Sequence, residues 1–293
     1  MSTRRILTAA SSAVLLMNVA ACGSSASSTS EPSVAESVTF EEGTTMARLA
    51  EAGSITVGTK FDQPLFGLKG LDNKPAGFDV EIAKIIAGDL GISAENIEWV
   101  ETPTKVRDEA VTTGKVDIAV ATYTINEARK ERVTFAGPYY KAGTELMVAS
   151  DSDIAGTDAL SDPAVKVCTA TGASYIDAIT EFLASPDQLV QFDVYSKCAD
   201  ALRTGQVQAV AADSSILLGI ASTSEDQFKI VGESFYDQFF GIGLQKGDLP
   251  FCEFINETLT KAVDDGRYEA AWEKTGGTVK PEVPPLPELD QCA

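Results

Sequence analysis

The sequence predicts an α/β fold built as two similar lobes. Short apolar stretches with strand character alternate with amphipathic helical stretches along most of the chain, the pattern of layered α/β architecture. Thr113-Gly-Lys-Val-Asp-Ile-Ala-Val-Ala121 is echoed by Thr204-Gly-Gln-Val-Gln-Ala-Val-Ala-Ala212, each reading helix end, glycine stop, buried strand. The separation is too long for a solenoid period, so two related lobes are the natural source of the echo; a chance likeness of buried strands is the alternative. The chain has 293 residues, enough to bury two cores.

The elements follow in order. Arg4 and Arg5 precede an apolar run, Ile6 to Val19, and then Ala20-Ala21-Cys22, the layout of a secretory signal peptide over residues 1–21. The run is shorter than the roughly 20 residues a permanent membrane helix needs. A cysteine directly after small residues resembles the lipobox of bacterial lipoproteins, in which the thiol carries a diacylglyceryl group; a plain signal peptide with a chance cysteine is the alternative. Residues 22–43, serine-rich through 38, read as lipid anchor and flexible tether.

The globule is expected to begin at Thr44, with a helical turn at Met46–Leu49 and a strand at Ser54–Gly58. A helix opens at Gly77-Phe-Asp-Val-Glu-Ile-Ala, with Asp79 as its cap and Val80, Ile82, Ala83, Ile85, Ile86 and Leu90 as its apolar stripe. Ile97–Val100 is a strand, residues 105–112 a helix stopped by Gly114, and Val116–Ala121 a buried strand. In the second lobe, Val165–Cys168 and Gln191–Val194 read as strands flanking a helix at Ser174–Leu183. Helices follow at Phe254–Val263 and Tyr268–Lys274, and the prolines of Lys280–Pro287 keep the tail extended.

The formal charge is −20, and loss of Arg4 and Arg5 with the signal peptide takes it to −22. That argues against nucleic acid and anionic lipid headgroups as partners. There is no histidine, which removes Ser-His-Asp and Cys-His catalysis and histidine metal sites. Besides Cys22, four cysteines remain in what reads as an exported chain, where disulfides persist. Three pairings are open; Cys168–Cys198 and Cys252–Cys292 are expected because each lies within one local unit. No C-x-x-C spacing occurs, which with the absence of histidine argues against a metal site; no cofactor is expected.

Two stretches carry chemistry. Thr122-Tyr-Thr-Ile-Asn-Glu-Ala-Arg129 places hydroxyls past the end of a buried strand and an arginine at a helix start. Ligands of α/β sheets bind beyond the carboxyl ends of strands, and a guanidinium fork suits a carboxylate. A surface turn with a solvated arginine is the bland alternative. Thr169-Ala-Thr-Gly-Ala-Ser174 is a strand-to-helix turn whose N–H groups could hold an anion. It has neither a Walker lysine nor G-x-G-x-x-G, which argues against a nucleotide.

Gly77-Phe-Asp-Val-Glu-Ile-Ala, Thr122–Tyr139, Thr169–Ser174 and Asp264-Asp-Gly-Arg-Tyr-Glu-Ala-Ala-Trp272 together resemble the bacterial extracellular solute-binding proteins of the polar amino-acid family (family 3), and among them the lipid-anchored glutamate/aspartate-type proteins of ABC importers. The resemblance spans about residues 54–276. It implies a type II periplasmic-binding-protein-like clamshell, each lobe a mixed sheet flanked by helices. Lobe 1 would be 44–148 plus 243–276, lobe 2 149–242, with hinge crossings near Ala149 and Phe240-Gly241 and a tail at 277–293.

It also implies a ligand set. Arg129, aided by Thr124 and Thr122, would clamp an α-carboxylate, with Thr171 and Gly172 touching it from the second lobe and Asp213 holding the ammonium. Arg107 and Lys60 would meet the ligand's side chain, two cations that favour glutamate, then aspartate, asparagine and glutamine. Phe61 would pack on its aliphatic part, although core packing is an equal reading. The implied protein is a monomer and no enzyme: a carrier on the outer face of the cell membrane, held by its lipid alone, with a free amino acid and an ABC permease and ATPase as partners. A sensor subunit signalling to a membrane receptor and a dehydratase-type enzyme on the same fold are the alternatives.

Overall fold

A computed structural model describes residues 32–36 and 38–293. The expected signal peptide and the expected lipid-bearing Cys22 lie outside the described residues. The chain runs through α1 (Thr45–Ala52), β1 (Ile55–Thr59), a small meander of β2 (Asp62–Gln63), β3 (Gly67–Lys69) and β4 (Pro75–Ala76), then α2 (Phe78–Asp89), β5 (Ile97–Glu101), α3 (Arg107–Thr112), β6 (Ile118–Thr124) and α4 (Glu127–Lys130). The long β7 (Thr134–Ala149) leads to β8 (Val167–Ala170), α5 (Ile176–Thr180), β9 (Leu189–Phe192), α6 (Tyr195–Arg203), β10 (Ala209–Asp213) and α7 (Ser214–Ser222). The equally long β11 (Phe228–Leu244) returns to α8 (Leu249–Asp264) and α9 (Arg267–Lys274).

The main ladder has the order β5-β1-β6-β11-β7-β10-β8-β9. β5, β1 and β6 are parallel, as are β9, β8 and β10. The antiparallel pair β7–β11 joins these two triplets, β11 pairing β6 and β7 pairing β10. The echoed sequences therefore form β6 and β10, which hold equivalent places on either side of the central pair. This is a mixed α/β architecture with one triplet per half.

Each half has its own core. Phe66, Phe78, Tyr140, Phe240 and Trp272 form an aromatic cluster at the centre of the first, with Tyr140 stacked on both Phe240 and Trp272 at 5.7 Å. Met147, Val210 and Ile216 belong to one apolar cluster of the second half, and Leu146, Val167 and Ile179 to another. On β7 the first core claims residues through Ala142 and the second claims them from Leu146; on β11 Tyr236 packs with the second and Phe240 with the first. The strands thus pass between cores around Gly143–Glu145 and Asp237–Phe239, which on β7 is several residues before Ala149.

Local chemistry explains the departures from expectation. Asp79 does not cap α2: the cap position is Gly77, with φ +135° and a virtual Cβ only 2.2 Å from the Phe66 carbonyl group, so no other residue fits there. Asp79 turns inward instead. The helix expected at Ser174–Leu183 shrinks to α5, where the Thr180 hydroxyl bonds back to the Ile176 and Asp177 carbonyls and Ser185 opens a new capped turn. The second-half strands shift to Val167–Ala170 and Leu189–Phe192. Part of the expected tether packs on the first half: Ala35 N–H donates to the Gly88 carbonyl at 3.0 Å, and Phe40 meets Phe254 edge-on at 5.5 Å. The tail is pinned too, by Cys252–Cys292, by Asp290 N–H on the Gly137 carbonyl and by Trp272 Nε1 on the Lys280 carbonyl. Cys168–Cys198 closes the second half, so the observed pairings are the nearest-neighbour ones.

Candidate functional site

The site lies where the carboxyl ends of β1, β6 and β10 meet the crossing strands. β6 ends in a kink, with Thr122 at φ +46°, a region in which a β-branched residue is strained. Asp79 holds the kink: its carboxylate accepts the Thr122 N–H at 2.7 Å and the Tyr139 hydroxyl at 2.6 Å. Burial pushes that carboxyl up to about 7 despite both hydrogen bonds. The kink exposes the Ala121 and Thr122 carbonyls, which accept Arg107 Nη1 at 2.7 and 3.2 Å. Arg107 stacks over Tyr123 at 4.3 Å and keeps a buried Nε without a partner among the described residues.

Asn126 caps α4 by accepting the Arg129 N–H at 2.9 Å. That aims the Arg129 guanidinium back over the strand end, where Nη1 donates to the Thr124 carbonyl at 2.7 Å and Nη2 to the Gly172 carbonyl of the other half at 3.1 Å. Burial and then the neighbouring Arg107 lower Arg129 to about 10. Lys60, 2% exposed, follows β1 and donates to Thr104 Oγ1 at 2.7 Å. Burial and then Arg107 bring its ammonium down to about 7.

The second half contributes Asp213 at the end of β10, buried and raised to about 7 by that burial, against the pull of Arg107, Arg129 and Lys60. Gln238 on β11 donates to Asp213 and to Thr144 Oγ1 of β7. Ser174, in the turn after β8, donates to Gln238 Oε1 at 2.6 Å. Asp62 reaches across to the start of α6 and accepts the N–H groups of Tyr195 at 3.0 Å and Ser196 at 3.3 Å.

Thr104, Arg107, Thr122, Thr124, Ser174 and Asp213 border one polar cavity of about 10 Å³, room for a single water. Lys60 and Arg129 each hydrogen-bond a residue of its lining, Thr104 and Thr124. The Thr122 hydroxyl is occupied by Gln63 Oε1 and the Ala121 carbonyl. Thr171 commits its N–H to the Phe192 carbonyl and Ala173 its own to the Ala170 carbonyl, while Gly172 presents its carbonyl to Arg129. Phe61 stands outside the cavity, half-buried beneath Lys69 Nζ at 4.8 Å. Sequence reasoning missed Gln238 and Thr144, which carry no motif, and Ser174, which sat inside a marked turn. Among the described residues no cluster of acidic or cysteine side chains is arranged to hold a metal ion.

A model of the bacterial extracellular solute-binding proteins, family 3, matches residues 55–278. The glutamate-binding protein GluB of Corynebacterium efficiens is 35% identical over 283 residues, covering 92% of this chain and 91% of that protein. The ABC transporter glutamine-binding protein GlnH of Bacillus subtilis is 33% identical over 263 residues, with 89% and 92% covered. Among solved structures, an ancestral arginine-binding protein bound to glutamine superimposes with a TM-score of 0.70 at 32% identity, covering 77% of this chain and 98% of its own.

Proposed function

We propose that this chain, which belongs to family 3 of the bacterial extracellular solute-binding proteins, is the lipid-anchored, extracytoplasmic substrate-binding protein of an ABC amino-acid importer, with glutamate as its preferred ligand. The carrying observation is that Arg107 of the first half and Asp213 of the second border one polar cavity, and that Arg107, Arg129 and Lys60 all pull on the Asp213 carboxylate. A zwitterion matches that arrangement. Its α-carboxylate takes over the Arg129 fork and the Thr124 hydroxyl, and its ammonium meets Asp213.

The distal end of the ligand decides the preference. Burial and then the neighbouring Arg107 disfavour the charge of Lys60. A side-chain carboxylate neutralises that pair, whereas the amide of glutamine leaves a buried cation without a counter-charge. The cavity is far smaller than an amino acid, so entry requires the halves to part, with β7 and β11 bending where they pass between cores. Ligand favours closure by touching both halves at once. The closed monomer then docks on the permease of a permease–ATPase complex, and Asp213 serves binding rather than turnover.

Isothermal titration of residues 32–293 against the protein amino acids tests this. Glutamate should bind tightest and Arg129→Ala should abolish the signal. Unaltered affinity in that variant would refute the site, and preference for a neutral side chain would refute the choice of ligand. Mass spectrometry of the exported chain should find the diacylglyceryl group on Cys22.

A further inference from the structure

Gln238 lies on β11 where the strand leaves the second core, and the residue is 1% exposed. Its oxygen accepts two hydroxyl protons, from Thr124 of the first half at 2.5 Å and from Ser174 of the second at 2.6 Å. Its nitrogen donates to Thr144 Oγ1 at 2.9 Å and to the Asp213 carboxylate. A primary amide has two N–H donors and an oxygen with two lone pairs, so the whole group is used.

The polarity of these contacts matters. The amide oxygen faces the hydroxyl assigned to an α-carboxylate, and the amide N–H faces the carboxylate assigned to an ammonium. Gln238 therefore offers the site the same pattern of acceptor and donor as the backbone end of an amino acid. We propose that Gln238 is a built-in competitor of the ligand, a side chain of the crossing strand that holds the site's hydroxyls until a carboxylate displaces it. This rests on the amino-acid reading of the site.

The competition falls on one end of the amide. A hydroxyl has a single proton to donate, and Thr124 and Ser174 have each committed theirs to Gln238 Oε1. A ligand carboxylate gains those protons only if Gln238 releases them. Asp213 is different: a carboxylate has about four acceptor sites, so it can take an ammonium and keep the Gln238 N–H. Displacement thus rewards an acceptor stronger than a neutral amide oxygen. An ionised carboxylate is one, and an α-amide is not. The device would reject amino-acid amides blocked at the α-carboxyl while costing the free amino acid part of its affinity.

Gln238→Met keeps the length of the side chain and removes both donor and acceptor. Titration of the unaltered protein with glutamate comes first: absence of binding there sinks the amino-acid reading itself. Given binding, Gln238→Met should bind glutamate about fivefold more tightly or better, the worth of two exchanged neutral hydrogen bonds being released. Equal or weaker affinity would overturn the proposal and make Gln238 a supporting contact. A second measurement needs no variant. The side-chain amide resonance of Gln238 in the ¹⁵N-labelled protein should move on adding glutamate, as its oxygen loses two hydroxyl donors; a resonance that stays in place overturns the proposal equally.

Discussion

Arg129 on α4 reaches the Gly172 carbonyl at 3.1 Å, tying the strand end of one half to the turn of the other. A neutral carbonyl is a weak partner for a buried guanidinium, and a ligand carboxylate accepting both Nη protons is a much stronger one. Arg129→Lys keeps the charge and loses the fork. It should weaken glutamate binding by about 10- to 100-fold, the worth of one charge-assisted hydrogen bond of roughly 1.5–3 kcal/mol. Titration calorimetry decides it, and a lysine variant within twofold of the parent would show that the fork is not used.

The buried charges predict a pH profile. Asp213 is raised to about 7 by burial, so below neutrality a proton competes with the ligand ammonium for it. Lys60, also near 7, gains its charge over the same range and favours the ligand's side-chain carboxylate, so the effect is read in Lys60→Met: there glutamate affinity should fall as pH drops from 7 to 5, approaching tenfold per unit, and adding Asp213→Asn should remove both the slope and most of the affinity. Stability follows its own rule. Asp213 and Asp79 are raised in the fold, so their contribution is present at acid pH and lost as pH climbs from about 4 to about 7. Lys60 is lowered, so its contribution is lost as pH falls from 10.5 to about 7. Ligand-free melting temperature should therefore dip near pH 7, and Lys60→Met should flatten the alkaline limb. A monotonic profile would contradict the shifts.

Much of this was legible in the sequence because it was written in local patterns. The echo of Thr113–Ala121 in Thr204–Ala212 gave two halves, and β6 and β10 occupy equivalent places. Thr122, Thr124 and Arg129 were marked by their place past a buried strand, and Arg107 and Asp213 only by the family resemblance; Arg107, Thr122, Thr124 and Asp213 border one cavity. Gln238 was not legible: a glutamine in a strand becomes special only through partners at Thr124, Ser174, Thr144 and Asp213, all distant in sequence. Asp79 misled for a related reason. At the start of a helix it reads as a cap, and only the folded chain shows that it supports the strained Thr122.

The two disulfides sit in different halves and should separate by readout. Cys168–Cys198 closes a separation of 30 residues and Cys252–Cys292 one of 40, each worth about 3–4 kcal/mol on the chain-entropy account. Replacing either pair with serine should lower the melting temperature. The second pair holds the tail whose Asp290 meets Lys130, the neighbour of Arg129, at 3.4 Å. Its loss should weaken glutamate binding as well as stability, measured below the melting transition. Unaltered affinity would confine the tail to a stabilising role.

Asp62 gives the last prediction. It follows β1 in the first half, yet its carboxylate accepts the first N–H groups of α6, a helix of the second. The residue at the α6 cap position, Val194, offers no side-chain acceptor, so a carboxylate from across the cleft does the capping. A negative charge at a helix N-terminus is worth about 0.3–1 kcal/mol, and up to ~2 when partly buried. The bond exists only while the halves touch, so all of that energy favours closure. Asp62→Ala should weaken glutamate affinity by about 2- to 30-fold, chiefly through faster dissociation, with the folded stability of each half little changed. Stopped-flow dissociation and small-angle scattering check it. A variant that releases ligand at the parental rate, with the same radius of gyration in saturating glutamate, would mean that closure does not draw on this contact.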